Sequence, residues 1–394
     1  MIKETTKKSV AMAPGRMLYV VSALAGLIHP WRNRRRVERV LIFKLDHLGD
    51  LLIATPALRS IRARFPNAEI RIVVGDWNTA LLRNNPSVDR VHVYNSERFC
   101  RQPNKPSSFA SFKEQIGSWK PDLIIGLRDD WHTLRYSIFS RAARVERGGA
   151  HLIEFTERAR TRQSLYHEIE RLWRTLAPLG IKREANTRLD FFVDESERTT
   201  ARQFMAERGI SAPFAMLHAG ATQPLREWPL ERYATIARHL NRRWGMQIVL
   251  VGVERERARS LSLASLIADL NPFDVTGELG LRATAALMAE SGLYIGSDGG
   301  AMHLAAAVNI PTVGLFGPGS FHVFSPVGPR TIGISKMFPC SPCAQIECVR
   351  PHDTCMMAIT LDEVARAVDQ LLAGEPTSMN SESVDVAVGQ LISK

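Results

Sequence analysis

The 394-residue chain has little of the apolar continuity that a membrane-crossing helix needs. Its N-terminal apolar run, Met17 to Ile28, falls short of the roughly 20 residues required to span a bilayer. Cysteine is scarce and unevenly placed: four of the five, Cys340, Cys343, Cys348 and Cys355, lie within one short stretch, and Cys100 stands alone. Such crowding argues against the dispersed disulfide framework of a small secreted domain. Acid is scarce at the start. Residues 1–39 carry nine Lys and Arg against two Glu, so seven of the eleven net positive charges sit there. The remainder is close to balanced, which argues against a general nucleic-acid-binding face. Glycine and proline are not enriched, and the length and apolar content suit two ordinary globular domains.

The basic N-terminus has three readings. An apolar run followed by "HPWRNRRRVER" combines a hydrophobic anchor with a polybasic patch, the two signals that hold a protein on an anionic membrane surface. The same run could be a helix packed on the protein's own body, or a signal segment, since "SALAG" resembles a small-residue cleavage site. The membrane-surface reading leads. It places the chain on an anionic membrane surface.

From Val40 onward, short apolar runs alternate with segments of helical period. Strands are expected at 40–44, 69–75, 88–94 and 122–128, with helices at 55–65, 78–85, 109–119 and 132–143 between or after them. Pro56 would occupy the first turn of the 55–65 helix. The rhythm resumes with strands at 214–220, 247–252, 293–298 and 311–317, and helices at 230–244, 254–270, 281–291, 301–308 and 360–374. Repeated strand–helix alternation implies parallel sheets covered on both faces. The expected fold is α/β, with two doubly wound Rossmann-like domains facing across a cleft. The domains are placed at 40–195 and 214–374, joined by a charged linker at 196–213, and followed by a disordered tail at 375–394.

Ligands of open α/β sheets sit at the carboxyl ends of the strands, so the loops that follow strands carry the candidates. The first, "FKLDHLGDLLIATPAL", holds Gly49 and Asp50 at a helix start. Asp50 reads either as a helix N-terminal acid favoured by the dipole or as a general base. Asp46 and His47 read as turn residues. The second, "LHAGATQPLREWP", offers backbone amides and Thr222 to a phosphate, with Arg226 as a forked cation beside them. Trp228 reads as packing. In the third, Glu254 of "VGVERER" is placed to accept from ribose hydroxyls or to cap a helix. The fourth, "SDGGAMHLAAAVNIPTVGLFGP", sets Asp298 at a strand end, with Gly299 and Gly300 opening a helix N-terminus and His303 one turn in.

In sequence and in order, "VLIFKLDHLGDLLIATPALRSIRARFP", "LHAGATQPLREWP" and "SDGGAMHLAAAVNIPTVGLFGP" resemble the motifs of glycosyltransferase family 9, the bacterial heptosyltransferases of lipopolysaccharide core assembly. The resemblance runs over roughly 40–372, and the last motif is its most specific part. It implies a GT-B fold and inverting, metal-independent transfer of a heptose or similar sugar from an ADP-sugar to a lipopolysaccharide-core or related lipid-linked acceptor. The family's Gly-Asp matches Gly49-Asp50, which makes Asp50 the base. Its basic residue before Trp-Pro matches Arg226, facing the phosphates, where the family often has Lys. Its acid after the glycine-containing strand end matches Glu254, on the ribose. Its donor-motif Asp matches Asp298, on the sugar, with Gly299, Gly300 and His303 about the diphosphate. A Thr/Ser pair common in the second motif is Ala221-Thr222 here, a departure that leaves part of the implied phosphate contact open.

The cysteines follow the spacing C-x2-C-x4-C-x6-C, which begins like a metal knuckle. Related heptosyltransferases carry similar inserts, and an iron-binding version occurs in protein-glycosylating relatives. A structural Zn or Fe site therefore leads over disulfides or reduced thiols, and no cofactor is expected for catalysis. Other readings stay open: a protein-glycosylating heptosyltransferase, another GT-B sugar-nucleotide enzyme such as an epimerase, or an inactive scaffold. The last has no need of Asp50, Arg226 and Asp298.

Overall fold

The computed structural model describes residues 37–100, 105–128, 136, 140, 142–146, 166–343, 347–350 and 352–375. The expected membrane-surface segment, most of the helix expected at 132–143 and the tail from 376 lie outside the described residues. Among the described residues, no helix is long and apolar enough to cross a membrane. The chain divides into two compact units, Met1–Asn186 and Thr187–Lys394.

The first unit is built on a parallel sheet of order β3-β2-β1-β4-β5, comprising β1 (Arg39–Phe43), β2 (Glu69–Val74), β3 (Arg90–Val93), β4 (Leu123–Gly126) and β5 (Ala143–Glu146). Val40 to Phe43 and Leu123 to Ile125 are almost wholly buried, as strands covered on both faces must be. Among the described residues, the α-helices α1 (Leu48–Arg64), α2 (Phe109–Ile116) and α3 (Glu168–Leu176) accompany the sheet.

Helix α1 begins at Leu48, two turns before the start expected from the sequence, so Pro56 lies in its interior rather than its first turn. A proline there cannot donate to the carbonyl four residues back. The carbonyl of Leu52 instead accepts the Thr55 hydroxyl at 2.7 Å. The unbroken burial of Leu51 to Leu58 supplies the packing that outweighs the local proline signal.

The second unit carries a six-stranded parallel sheet of order β11-β10-β9-β6-β7-β8. Its strands are β6 (Phe214–His218), β7 (Gln247–Leu250), β8 (Phe273–Asp274), β9 (Leu293–Ser297), β10 (Thr312–Phe316) and β11 (Thr331–Ser335). Its helices are α4 (Glu195–Arg208), α5 (Leu230–Trp244), α6 (Arg257–Leu266), α7 (Leu281–Glu290), α8 (Gly300–Ala307), α9 (Phe321–Phe324) and α10 (Leu361–Leu372). Helix α4 occupies most of the stretch read as a linker. Its start is fixed by a capping box in which Asp194 accepts from the Glu197 amide and Glu197 accepts from the Asp194 amide. Glu197 also receives Arg282 of α7 at 2.6 Å, tying α4 to this unit.

Both sheets reverse their winding once, between β1 and β4 and between β6 and β9. At such a point the connections leave in opposite directions, and a crevice opens at the strands' carboxyl ends. The loops after β1, β4, β6 and β9 therefore meet in pairs, one pair in each unit.

Trp228 is packing, as its sequence context indicates. It is fully buried, its ring meets Tyr233 edge-on at 5.1 Å, and its Nε1 donates to the Ile359 carbonyl at 3.1 Å. Trp228→Ala should cost roughly 3–5 kcal/mol of stability. A denaturant titration showing less than about 1 kcal/mol of loss would contradict this placement.

Candidate active site

In the first unit the turn after β1 leads straight into α1, with Gly49 as the helix's second residue and Asp50 in its first turn. Asp50 belongs to a cluster of charges gathered from three elements. Lys44, fully buried at the end of β1, donates to Asp46 Oδ2 at 3.0 Å and stands 3.7 Å from Glu168 of α3. Arg128, just past β4, donates to the same Asp46 oxygen at 2.9 Å and lies 3.5 Å from Asp50 Oδ1. Arg171 pairs with Glu168 at 3.1 Å. Burial, and then the Asp46 charge, push the Asp50 carboxyl up to about 6, against the opposing pull of Lys44 and Arg128. A carboxylate so poised is ionised at neutral pH and basic enough to take a hydroxyl proton.

In the second unit the loop after β6 carries Thr222, which is exposed, and Arg226. Arg226 Nη1 donates to Asp298 Oδ2 at 3.2 Å, while its Nε has no hydrogen-bond partner among the described residues. Burial raises the Asp298 carboxyl, and Arg226 opposes that rise. Gly319 lies against Asp298 so closely that a Cβ there would collide with its Oδ2. Gly299 is extended, at φ 173°, and a Cβ on it would meet no atom nearer than 3.8 Å. The fold itself therefore does not demand glycine at this helix start. What its absent side chain leaves open is access to the N-terminal amides of α8. His303 is buried within α8.

Glu254 and Glu256 have distinct surroundings. Glu254 is exposed and paired with Arg257 at 2.9 Å, a hydrogen bond that holds its carboxyl below the usual range. Glu256 turns inward to His218 Nε2 at 2.9 Å, while His218 Nδ1 meets the Tyr294 hydroxyl at 3.1 Å. Burial works to raise Glu256, but the His218 and Val253 hydrogen bonds outweigh it and keep the carboxyl low. Gly220 makes room for this acid, since a Cβ there would lie 2.7 Å from its carboxyl carbon. The His218–Glu256 contact, joining the loops after β6 and β7, escaped the sequence reading. So did Arg259, which donates to the Ala219 carbonyl at 2.8 Å and the Trp228 carbonyl at 2.7 Å, fastening both ends of the Arg226 loop.

All four clustered cysteines line one small cavity with Leu225, Pro318 and Phe338. The Cys343 amide donates to the Pro318 carbonyl at 2.9 Å, and the Arg350 amide points at Cys348 Sγ at 3.4 Å. The structure joins no two of these cysteines in a disulfide, and among the described residues no three His, Cys, Asp or Glu side chains are placed to hold a metal ion.

Two doubly wound parallel units, each with polar loops gathered at its switch point, make an α/β, Rossmann-like architecture of the GT-B kind, a fold that hosts more than one activity. The family model of glycosyltransferase family 9 (heptosyltransferase) matches residues 122–353. Lipopolysaccharide heptosyltransferase 1 of Pseudomonas aeruginosa is 27% identical over 324 residues, covering 79% of this chain and 87% of that protein. The solved structure of a family 9 glycosyl transferase from Veillonella parvula superposes with a TM-score of 0.70 at 22% identity, covering 86% of this chain and 98% of that one. Escherichia coli heptosyltransferase WaaC with ADP-2-deoxy-2-fluoro heptose superposes with a TM-score of 0.58 at 19% identity, covering 84% and 99%. The chain belongs to glycosyltransferase family 9, the heptosyltransferases.

If Arg259 fastens the donor-side loop, Arg259→Ala should speed amide exchange across 219–228 by tenfold or more, while amides of β6 keep their protection. Equal protection of that loop in both proteins would remove the assigned role.

Proposed function

We propose that this enzyme transfers a heptose, with inversion, from an ADP-sugar to a lipopolysaccharide-core or related lipid-linked acceptor, with Asp50 as general base and no metal in the reaction. Asp50 carries the reading: a carboxylate at the first unit's switch point, raised to about 6 by burial and by Asp46. Family membership supports heptosyl transfer, and the ADP-heptose analogue in the WaaC structure supports the donor.

In the proposed reaction an Asp50 oxygen takes the proton of an acceptor hydroxyl. The freed oxygen bonds to the anomeric carbon as the bond from that carbon to the diphosphate oxygen breaks, and the electron pair leaves on ADP. Arg226, Thr222, Gly299, Gly300, His303 and the amides opening α8 receive the charge on the diphosphate. Arg226 can do so while still holding Asp298, because its remaining donors are free to turn to phosphate. Asp298 takes sugar hydroxyls. Glu254, exposed at the end of β7, takes ribose hydroxyls. The basic N-terminal segment rests on the inner face of the inner membrane, where a lipid-linked acceptor is presented.

The cysteine cavity is read as a structural Zn or Fe site. Four thiol side chains around one space, with a backbone amide aimed at Cys348 Sγ, fit soft-metal ligation in chemical type. Cys340, Cys343, Cys348 and Cys355 would hold the ion, which would fix the loop ending at Pro318 rather than take part in transfer.

Asp50→Asn should lose transfer by a thousandfold or more and keep donor affinity, whereas Arg226→Ala should weaken donor binding by calorimetry. Wild-type transfer should fall as the pH drops through about 6, because the base works only when deprotonated. Transfer by Asp50→Asn at the wild-type rate would end the assignment. Elemental analysis of the purified chain should find about one Zn or Fe per molecule. A metal-free, fully reduced chain of undiminished stability would end the metal reading alone.

A further inference from the structure

We infer that Asp46 is a positioning residue for the base: a buried companion carboxylate that takes Arg128 and Lys44 as its own partners and so leaves Asp50 free to accept a proton. The inference rests on the reading of Asp50 as the base.

Asp46 is wholly enclosed, and its position is fixed from several sides. Trp77 Nε1 and Asn78 Nδ2 donate to its backbone carbonyl at 2.9 and 2.8 Å. Lys44 and Arg128 both donate to Oδ2, while Oδ1 has no hydrogen-bond partner among the described residues. A simple structural counter-ion would be better served with both oxygens engaged.

The geometry around Arg128 is unequal in a useful way. One guanidinium nitrogen, Nη1, stands between two carboxylates and gives its hydrogen bond to Asp46 at 2.9 Å, with Asp50 at 3.5 Å. Phe99 lies under the guanidinium at 4.9 Å and meets His47 edge-on at 5.6 Å, which limits how far Arg128 can swing. Were Asp46 neutral, Arg128 would have Asp50 as its close carboxylate. A base locked in that pair is a weaker base, because an adjacent cation favours its ionised form.

The remaining charges near Asp50 balance. Lys44 at the end of β1, Arg128 after β4 and Arg171 of α3 face Asp46, Asp50 and Glu168. Three cations meet three carboxylates. Asp76, on the 3-10 turn packed against α1, is engaged by Asn95 Nδ2 at 3.0 Å, and His47, immediately before α1, is the other titratable group of the turn after β1. Neutralising Asp46 leaves one uncompensated positive charge beside the base.

The test is the pH profile of kcat/KM for sugar transfer, whose acid limb reports the base in the free enzyme. Asp46→Asn should move that limb down by about one pH unit and lower the neutral-pH rate several-fold. Arg128→Gln should move it up by a similar amount, and carbon-13 titration of the Asp50 carboxyl should follow both shifts. Limbs that stay in place in both variants, whatever the loss of rate, overturn the inference and leave Asp46 a structural counter-ion. Should Asp46→Asn fail to fold, Asp46→Asn combined with Arg128→Gln, which removes one charge of each sign, is read against Arg128→Gln alone: a lower acid limb in the double variant supports the role of Asp46, and equal limbs overturn it. Asp50→Asn is the control: if it still transfers, the base reading has failed, whereas a dead Asp50→Asn with unmoved limbs means that only the role of Asp46 has failed.

Discussion

Lys44 is a fully buried ammonium at the end of the first strand, and a cation taken out of water has to be met by carboxylates at close range. Asp46 and Glu168 meet it, the second from a helix more than a hundred residues further along the chain. Each of these acids is then shared with an arginine, Arg128 or Arg171. The site is built outward from that one buried charge. Asp50 stands at its edge, close enough to feel Asp46, Lys44, Arg128 and Glu168, with Arg128 3.5 Å away. A base at a bare helix N-terminus would be acidified by the helix dipole. Here burial and the neighbouring acid act the other way and prevail.

The fold was legible because parallel strands covered on both faces must be runs of apolar residues, and the runs at Val40, Ile70, Leu123, Phe214, Ile248, Leu293 and Thr312 are clear. The loops that follow them were legible for the same reason, and they carry Asp50, Arg226 and Asp298. Their partners were not. Asp46 read as a turn residue and Arg128 as the end of a strand because only the order β1-β4 brings the two together, and strand order is not written in local periodicity. Glu254 and Glu256 sit two residues apart in a single charged run, and nothing local says which one turns inward to His218. The early start of α1 was hidden by Pro56, whose local cost is outweighed by the burial of eight consecutive residues.

On the proposed donor side the problem is reversed: the groups proposed to meet a diphosphate have to be held in place without being used up. Backbone carbonyls at 219 and 228 are taken by Arg259, so the loop between them is tied at both ends while its middle, with Thr222, stays exposed. Gly319 packs on Asp298 and shields one side of it. Such tethering removes motion that binding would otherwise have to arrest.

The choice of arginine at 226 follows from the same constraint. Asp298 is buried and needs a cation, and the diphosphate proposed to bind beside it also needs one. A lysine ammonium is a single point charge on a flexible stem, and drawing it toward phosphate would leave Asp298 exposed to the full cost of burial. A guanidinium spreads five donors over a rigid plane. One nitrogen can stay on Asp298 at 3.2 Å while the other end of the fork turns to phosphate oxygens. Where the resembling motif often places lysine, this chain can therefore neutralise sugar-side and phosphate-side charge with one residue. Arg226→Lys should accordingly be less conservative than its charge suggests: donor affinity should fall even though the net charge is unchanged, and calorimetry at constant ionic strength would read that loss directly.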